Sequence, residues 1–307
     1  MITKEKLLRR YNLTEEEFEA ANIAWEDLKF IYKDFSNKKN FYEEKLQEFE
    51  KQYLNNISQK GIHSYRTRIK DPEHLVVKII RKRQENNRKY KNLDKDNYEK
   101  FITDLIGIRC FILFKSDWEI FHNYIVDKVE NDPKRYVKDS LKDFDDNKTN
   151  IYIAEMPKVH IRSGDSREIY EKVLPPDAIK SKKVYRSVHY IVKYKGIYIE
   201  IQVRTLFEEG WGEIDHYIVY PRYQNDLLFQ QYTGLLNRLT GLADEMSSFF
   251  CEVKRLEMEH LEKNPKVFSI EKKVENKESL KKDVSNKKKK SFFGNTPEDC
   301  LNNVLNE

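Results

Sequence analysis

Cysteine is scarce in this chain. Three occur in 307 residues, Cys110, Cys251 and Cys300, and no two are close in sequence. That excludes a disulfide framework and a cysteine-rich zinc site. No long apolar run occurs, and the opening Met1-Ile-Thr-Lys-Glu-Lys has no apolar signal region. A cytoplasmic protein with no membrane partner is therefore expected. A glycine-rich phosphate loop of the Walker type, a Rossmann glycine fingerprint and a protein-kinase signature are also missing. If such a chain holds phosphate, it must use side chains and a helix end. No internal repeat is visible.

Apolar residues make up 39% of the chain, including 17 Phe and 19 Tyr, enough for a substantial core. Charged residues reach 36%, so much of the chain must lie on solvated helix faces or in tails. The net charge of +5 suits polyanionic ligands, nucleotide or RNA, but equally a lysine-rich soluble protein, and does not decide function.

The pattern divides the chain into four parts: a helical region over 1–60, a central region over 61–222, a helix over 223–263 and a lysine-rich tail over 264–307. Thr14-Glu-Glu-Glu17 has capping-box form and predicts a helix running through about Phe35. A second helix is expected from Phe41 to Gln59, broken by Gly61. A short strand over Ile62–Lys70 precedes Asp71-Pro72, an N-cap followed by proline at the first helical position. The helix that follows carries Leu75, Val76, Ile79 and Ile80 on one face and His74, Lys78 and Arg81 in one stripe on the other. Asp96–Thr103 reads as a short helix, and Leu105–Phe114, apolar almost throughout, as a central strand with Asp104 at its mouth. Residues 117–130 read as helix and Ile151–Ala154 as a strand. The stretch 132–150 is polar and irregular, and 155–180 carries no pattern that places it beyond a loop over a site. Leu227 to Leu256 form a long apolar stripe, suited either to oligomerisation or to packing on the chain's own sheet. Six lysines between Lys281 and Lys290 mark a tail expected to be disordered, with a small terminal helix over Thr296–Leu305.

One hairpin concentrates the chemistry. Tyr185–Tyr194 and Ile197–Arg204 flank a two-residue turn, Lys195-Gly196. Pairing Tyr194 with Ile197 sets Val192 against Ile199, Tyr190 against Ile201 and Val188 against Val203, an entirely apolar face that needs a helical layer beneath it. Alternation then forces Tyr185, Ser187 and His189 onto the other face with Glu200, Gln202 and Arg204, placing His189 across from Gln202 and Ser187 across from Arg204. A ring, a hydroxyl, an imidazole, a carboxylate, an amide and a guanidinium on two strands point to a site rather than to a solvated face. With Asp104 placed near Glu200, two carboxylates can share a magnesium ion, which binds through one or two carboxylates plus substrate phosphates. Arg68, Lys70, Lys78 and Arg81 surround the helix start at Asp71-Pro72, a place that favours anions.

These residues resemble the synthetase domain of RelA/SpoT-type enzymes, which make the alarmones (p)ppGpp. The matching pieces, in the family's order between Gly61 and Pro221, are Arg68-x-Lys70 with the helix containing Lys78, Asp104-Leu-Ile-Gly-Ile-Arg109, Tyr185-Arg-Ser187-Val-His189, Glu200-Ile-Gln202-Val-Arg204-Thr205 and Trp211-Gly-Glu-Ile-Asp-His216. The resemblance implies an α/β fold of nucleotidyltransferase type, with a mixed, mainly antiparallel sheet of about five strands flanked by helices and extended by helices at both ends. It implies a magnesium-dependent ATP:GTP/GDP 3′-pyrophosphotransferase of the stringent response, with ATP and GTP or GDP as substrates. Asp104 and Glu200 are then expected to be catalytic and to bind magnesium, Glu200 also helping to deprotonate the attacking hydroxyl. Arg68, Lys70 and Lys78 are expected to grip the ATP phosphates, with Arg81 on the adenine. Tyr185 is expected to stack on the acceptor guanine, with Ser187, His189, Gln202, Arg204 and Lys183 completing the acceptor site. Trp211 and His216 are expected to be structural.

The sequence departs from the family pattern at His74, often serine, at Val184, usually glycine, and at Asp215, usually glutamate. The family's lysine before the tyrosine falls on Lys182 or Lys183. No His-Asp hydrolase domain is recognisable, and the layout resembles the small, single-domain synthetases. Two other readings remain. One is a toxin of the same fold that pyrophosphorylates the tRNA 3′ end or makes another alarmone; the other is a non-catalytic nucleotide-binding module. An antitoxin and a homo-oligomer are the partners these layouts leave room for.

Overall fold

The computed structural model describes residues 3–85, 88–128, 151–182, 185–219, 223 and 226–263. Lys183, Val184, the polar stretch 132–150, the lysine-rich tail and the small helix expected at its end lie outside the described residues. The chain forms two compact units, 1–240 and 241–307.

The first unit begins with four helices: α1 (Lys4–Arg10), α2 (Glu15–Ala20), α3 (Trp25–Asn37) and α4 (Lys39–Tyr53). Thr14 does close a capping box with Glu17, each side chain bonding the other's backbone N–H. The helix it opens is six residues long and does not reach Phe35. Asn22 adopts φ 49°, a left-handed conformation that a continuing helix cannot contain, and α3 restarts at Trp25.

Beyond α4 come β1 (Ser64–Ile69), α5 (Pro72–Gln84), α6 (Tyr98–Phe101), β2 (Ile106–Ile112), α7 (Asp117–Lys128) and β3 (Ile151–Arg162). These are followed by α8 (Glu168–Glu171), β4 (Ile179–Lys182), β5 (Ser187–Tyr194), β6 (Ile197–Thr205), α9 (Leu206–Ile214) and α10 (Leu227–Lys263). A π-helical turn, Asp215–Val219, follows α9. Asp71 caps α5 by accepting from the N–H groups of Glu73 and His74, with Pro72 at the first position.

The fold is mixed α/β. The sheet has six strands among the described residues, in the order β1-β2-β6-β5-β3-β4. The β2/β6 and β3/β4 pairs are parallel and the other three antiparallel. The sixth strand is β4, which begins only at Ile179, at the end of the stretch 155–180 where the sequence shows no strand pattern. There β3 runs on to Arg162 through two register shifts, between Ile153 and Glu155 and between Glu155 and Lys158, and β4 pairs with its end. Each shift interrupts strict alternation, which hides the strand from a period-two reading.

The hairpin β5–β6 pairs as its alternation requires: Tyr194 with Ile197, Val192 with Ile199, Tyr190 with Ile201, His189 with Gln202 and Val188 with Val203. Lys195 and Gly196 both take positive φ, 46° and 85°, the requirement of a two-residue turn matched to strand twist. The apolar face is buried. Phe49 and Tyr53 of α4 meet Tyr194 edge-on at ring distances of 5.4 and 5.8 Å, and Phe121 of α7 meets Tyr190 at 5.9 Å. Inside this layer Trp118 Nε1 donates to Tyr190 Oη at 2.9 Å, and His122 Nδ1 lies 3.0 Å from the same oxygen. Helices thus cover one face of the central strands and leave the other for the polar side chains.

In the first unit α10 carries Leu227, Leu228, Tyr232, Leu235 and Leu239 exposed, while Asn237 and Thr240 are buried. Its apolar stripe there is not packed on the chain's own sheet. In the second unit Leu242, Met246, Phe249, Phe250, Val253 and Leu256 of the same helix are likewise exposed.

Candidate functional site

Strand register brings the polar face together row by row. Arg68, Gly107, Glu200 and Ile191 align across β1, β2, β6 and β5. The next row is Arg66, Arg109, Gln202, His189 and Lys158, across five strands. Because paired residues share a face, β1 and β2 extend the polar side of the hairpin into a basic floor. Gly107 keeps that floor low: a Cβ there would come within 3.2 Å of Arg68 Nε, so the arginine lies directly over the strand.

A cavity of about 780 Å³ opens above this floor. Arg66, Arg68, Gly107 and Arg109 form its base; His74, Lys78 and Arg81 of α5 form one wall; Glu213, His216 and Tyr217 form another. Lys70 also lines it. All four residues expected to contact ATP, Arg68, Lys70, Lys78 and Arg81, therefore line one cavity. At its inner end both Lys70 Nζ and Lys78 Nζ lie 2.7 Å from Asp104 Oδ2. Burial alone would raise the Asp104 carboxyl, but the two ammonium groups outweigh it and hold the pKa at about 2. Burial pushes the Lys70 ammonium down, and neighbouring Lys78 and Arg68 push the same way against Asp104. Two ammonium groups thus share one carboxylate, with Arg68 near enough to act on Lys70, which leaves the pocket electropositive.

Asp104 Oδ1 is buried and has no hydrogen-bond partner among the described residues. An acceptor in that state costs free energy unless something occupies it. Glu200, close enough for Asp104 to act on its charge, supplies a second carboxylate. Among the described residues no group of three or more His, Cys, Asp or Glu forms a metal cage. Two carboxylates without a cage suit magnesium, which completes its shell with water and substrate phosphate.

Glu200 sits in a closed ring of hydrogen bonds. Gln202 Nε2 donates to Glu200 Oε2 at 2.8 Å, and Arg204 Nη2 donates to Gln202 Oε1 at 2.6 Å. On the other side Arg204 Nη2 donates to Tyr185 Oη at 3.0 Å, Tyr185 Oη lies 2.9 Å from His189 Nε2, and His189 Nδ1 lies 3.3 Å from Glu200 Oε1. Tyr185 then donates to Nε2, and His189 donates from Nδ1 to the carboxylate. Burial alone would raise Glu200, but His189 and Gln202 outweigh it and hold its pKa below the usual carboxylate range. Burial raises the Tyr185 hydroxyl, so it remains a neutral donor. Arg204 is anchored from behind by Glu209 at 3.2 Å, and Glu209 also accepts from Arg109 at 2.8 Å. Five residues expected around the acceptor, Tyr185, Ser187, His189, Gln202 and Arg204, lie together here. Ser187 is buried and bonds the Val203 carbonyl at 3.4 Å, which turns its hydroxyl toward the backbone. Nothing is described of Lys183 or of the Lys182 side chain.

The structure separates the two residues of the α9 motif that were expected to be structural. Trp211 is buried and donates to the Thr233 carbonyl at 3.1 Å, but His216 lines the basic cavity. Four other residues at the site escaped the sequence reading. Arg66 stands two residues before Arg68, so alternation alone puts both on one face. His160 of β3 lies 5.5 Å from the Tyr185 ring and 5.1 Å from His189, in the segment where the bulges hide the strand. Arg186 is buried between Asp165, at 2.8 Å, and Glu208, and fixes the backbone next to Tyr185. Tyr11 enters the cavity from the first helical region.

An open sheet face with an electropositive cavity and two unlike carboxylate environments marks an α/β domain whose lining has the chemistry to suit phosphate-bearing ligands. The family described as the region found in RelA / SpoT proteins matches residues 67–225, and the chain belongs to it. Solved structures similar to this chain include the small alarmone synthetase 1 from Bacillus subtilis, with 17% identity, a TM-score of 0.47 and coverage of 73% of this chain and 98% of that one. A GTP pyrophosphokinase family protein from Streptococcus pneumoniae has 21% identity, a TM-score of 0.44 and coverage of 76% and 95%. The Bacillus subtilis protein bound to its product pppGpp has 17% identity, a TM-score of 0.43 and coverage of 72% and 94%. No curated protein matches the chain at a significant level. No helix among the described residues is long and apolar enough to cross a membrane.

Proposed function

We propose that this protein is a magnesium-dependent pyrophosphokinase that moves the β,γ-pyrophosphate of ATP to the ribose 3′-hydroxyl of GDP or GTP. The observation that carries the reading is Asp104. Its one oxygen takes two lysines and its other is buried without a partner among the described residues, between a basic cavity and the ring around Glu200. Membership of the RelA / SpoT family supports the same class of transfer.

In this reading Arg68, Lys70 and Lys78 hold the donor phosphates, and Arg81 lies toward the nucleoside. Asp104 and Glu200 are the residues that would hold magnesium, which when bound would supply neutralisation of the charge on the phosphates. Tyr185 presents its ring to the acceptor base, and His189, Gln202 and Arg204 keep Glu200 ionised and oriented. Glu200 takes the proton as the 3′-oxygen bonds to the β-phosphorus; the bond between that phosphorus and the oxygen bridging to the α-phosphorus breaks, and AMP leaves with that oxygen. Most of the acceleration then comes from positioning and charge neutralisation rather than covalent chemistry.

A second acceptor class is favoured by one observation. Exposed Lys158, which bonds Glu155 at 2.6 Å, pairs in register with His189, and exposed Lys180 with His160, so lysines continue along the polar face beyond the acceptor ring. Such a strip suits the backbone of a polynucleotide such as a tRNA end. The deciding experiment offers ATP labelled in its terminal phosphate with magnesium, GDP, GTP and bulk tRNA together. Label in a guanosine tetra- or pentaphosphate with release of AMP supports the first reading. Label in tRNA supports the second, and label in neither sinks both.

A further inference from the structure

Tyr11 lies outside the segment that matches the family, residues 67–225, yet it lines the basic cavity. Its place there is engineered by many contacts. Leu7 and Leu8 bury α1 in the core. Arg10 pairs with Glu73 at 2.6 Å, and Tyr11 Oη donates to the same carboxylate oxygen at 3.3 Å, tying the end of α1 to the start of α5. At the other end of α5, Arg83 Nε donates to the Ala21 carbonyl at 2.8 Å and Gln84 bonds the Glu17 carbonyl. The segment from α1 to the end of α2 is thus clasped along α5. The Tyr11 ring packs edge-on against His74, with centroids 5.3 Å apart and planes at 80°.

This position matters because of how charge divides the cavity. Lys70 and Lys78 converge on Asp104, so phosphate belongs at that end. A nucleoside triphosphate held there must seat its nucleoside elsewhere in the same cavity. Among the described lining residues the two tyrosines are Tyr11 and Tyr217, and Tyr217 is 90% exposed, standing off at the rim. Tyr11 is half-buried and braced by His74. Its hydroxyl is pushed up to about 12, by burial first and then by Glu73 and Asp71, so the ring stays neutral. A neutral, braced aromatic surface in a cavity otherwise rich in cations suits a base through stacking and apolar contact.

We infer that Tyr11, supported by His74, is a specificity-determining residue that seats the purine nucleoside of the donor. The inference rests on the proposed donor role of this cavity. It makes the first helical region part of the substrate site rather than an arm.

The test measures binding of a non-hydrolysable ATP analogue and of inorganic tripolyphosphate to the full chain by calorimetry, for the wild type, Tyr11→Leu and Tyr11→Phe. Leucine keeps apolar volume for the core side of the residue, and a thermal melt confirms folding. The expected result is affinity for the ATP analogue about tenfold weaker in Tyr11→Leu, substantial recovery in Tyr11→Phe, and unchanged tripolyphosphate affinity in both. In steady-state transfer Tyr11→Leu raises the KM for ATP and leaves the KM for the acceptor alone. Equal ATP-analogue binding by all three proteins overturns the inference and leaves the donor role standing. Absence of ATP-analogue binding in the wild type removes the donor role itself, and the inference with it. If Tyr11→Leu does not fold, His74→Ala replaces it, with the same loss expected and unchanged binding again overturning the inference.

Discussion

Lys70 and Asp104 meet through a single carboxylate oxygen, 2.7 Å from the ammonium, and Lys78 ends on that same oxygen at the same distance. The other oxygen is left buried and without a partner among the described residues. A purely structural ion pair would use both oxygens, because leaving one bare in the interior costs about 1–3 kcal/mol. Asp104→Asn keeps the shape but removes the charge. Its expected effect is a loss of at least about 10³-fold in kcat, with ATP binding less affected, since the interaction removed acts on charge developing in the transition state. Transfer assays across a magnesium titration check this; activity within tenfold of wild type would show that the carboxylate does not carry the reaction.

Tyr185 hydrogen-bonds both arms of the ring around Glu200 through its one hydroxyl. Tyr185→Phe keeps the ring for the acceptor base and cuts the bond from Arg204 and the bond to His189. We expect kcat to fall by about 10- to 100-fold, with the acceptor KM changed less than about threefold. Tyr185→Ala should raise the acceptor KM as well. Identical effects of the two substitutions would show that the hydroxyl orients nothing.

Gly61 turns the chain between α4 and β1 at φ +71°. A Cβ there would stand 2.6 Å from the Asp117 carbonyl oxygen and 2.9 Å from Ile120 Cβ. Both the backbone conformation and the backbone neighbour oppose any side chain, so Gly61→Ala should lose about 2–3 kcal/mol of stability. Chemical denaturation with unchanged m-value is the measurement, and a loss under about 0.5 kcal/mol contradicts the reading.

Asp117, half-buried at the start of α7, and the buried His122 give opposite pH slopes. Burial lifts Asp117 to about 6, against bonds from the Phe114 and Leu113 backbone. A raised carboxyl contributes stability below its unfolded pKa and loses it as pH rises through the folded value, here from about 4 to about 6. Burial lowers His122 to about 4. A depressed imidazole loses its stability contribution as pH falls from about 6.5 toward 4. The two nearly cancel in the wild type. Asp117→Asn should therefore gain about 1–2 kcal/mol relative to wild type at pH 7 and nothing at pH 4. His122→Gln should show its gain at pH 4 instead. Melting curves of the three proteins from pH 4 to 7 decide it, and parallel curves refute both assignments.

The site was legible in the sequence wherever one strand or one helix carried it. The β5–β6 hairpin has unbroken alternation and a turn whose residues both accept positive φ, so its register and its two faces follow from local rules. The stripe His74, Lys78 and Arg81 follows from the helical repeat after Asp71-Pro72. Legibility failed where alternation breaks or distance in sequence intervenes. The bulges of β3 hid His160 and Lys158, and the left-handed Asn22 ended α2 inside an apparently continuous helical pattern.

The sequence by itself determined which side chains share a face of a strand or helix, because neighbouring residues must point in directions set by the local backbone. That was enough to assemble Tyr185, His189, Glu200, Gln202 and Arg204 before any fold was in hand. Only the tertiary structure decided what faces them across space: that β2 lies parallel beside β6, that Asp104 gathers Lys70 and Lys78 on one oxygen, and that Tyr11 closes on His74. Those contacts join segments far apart in the chain, and they arise from burial of a shared apolar layer rather than from any local repeat.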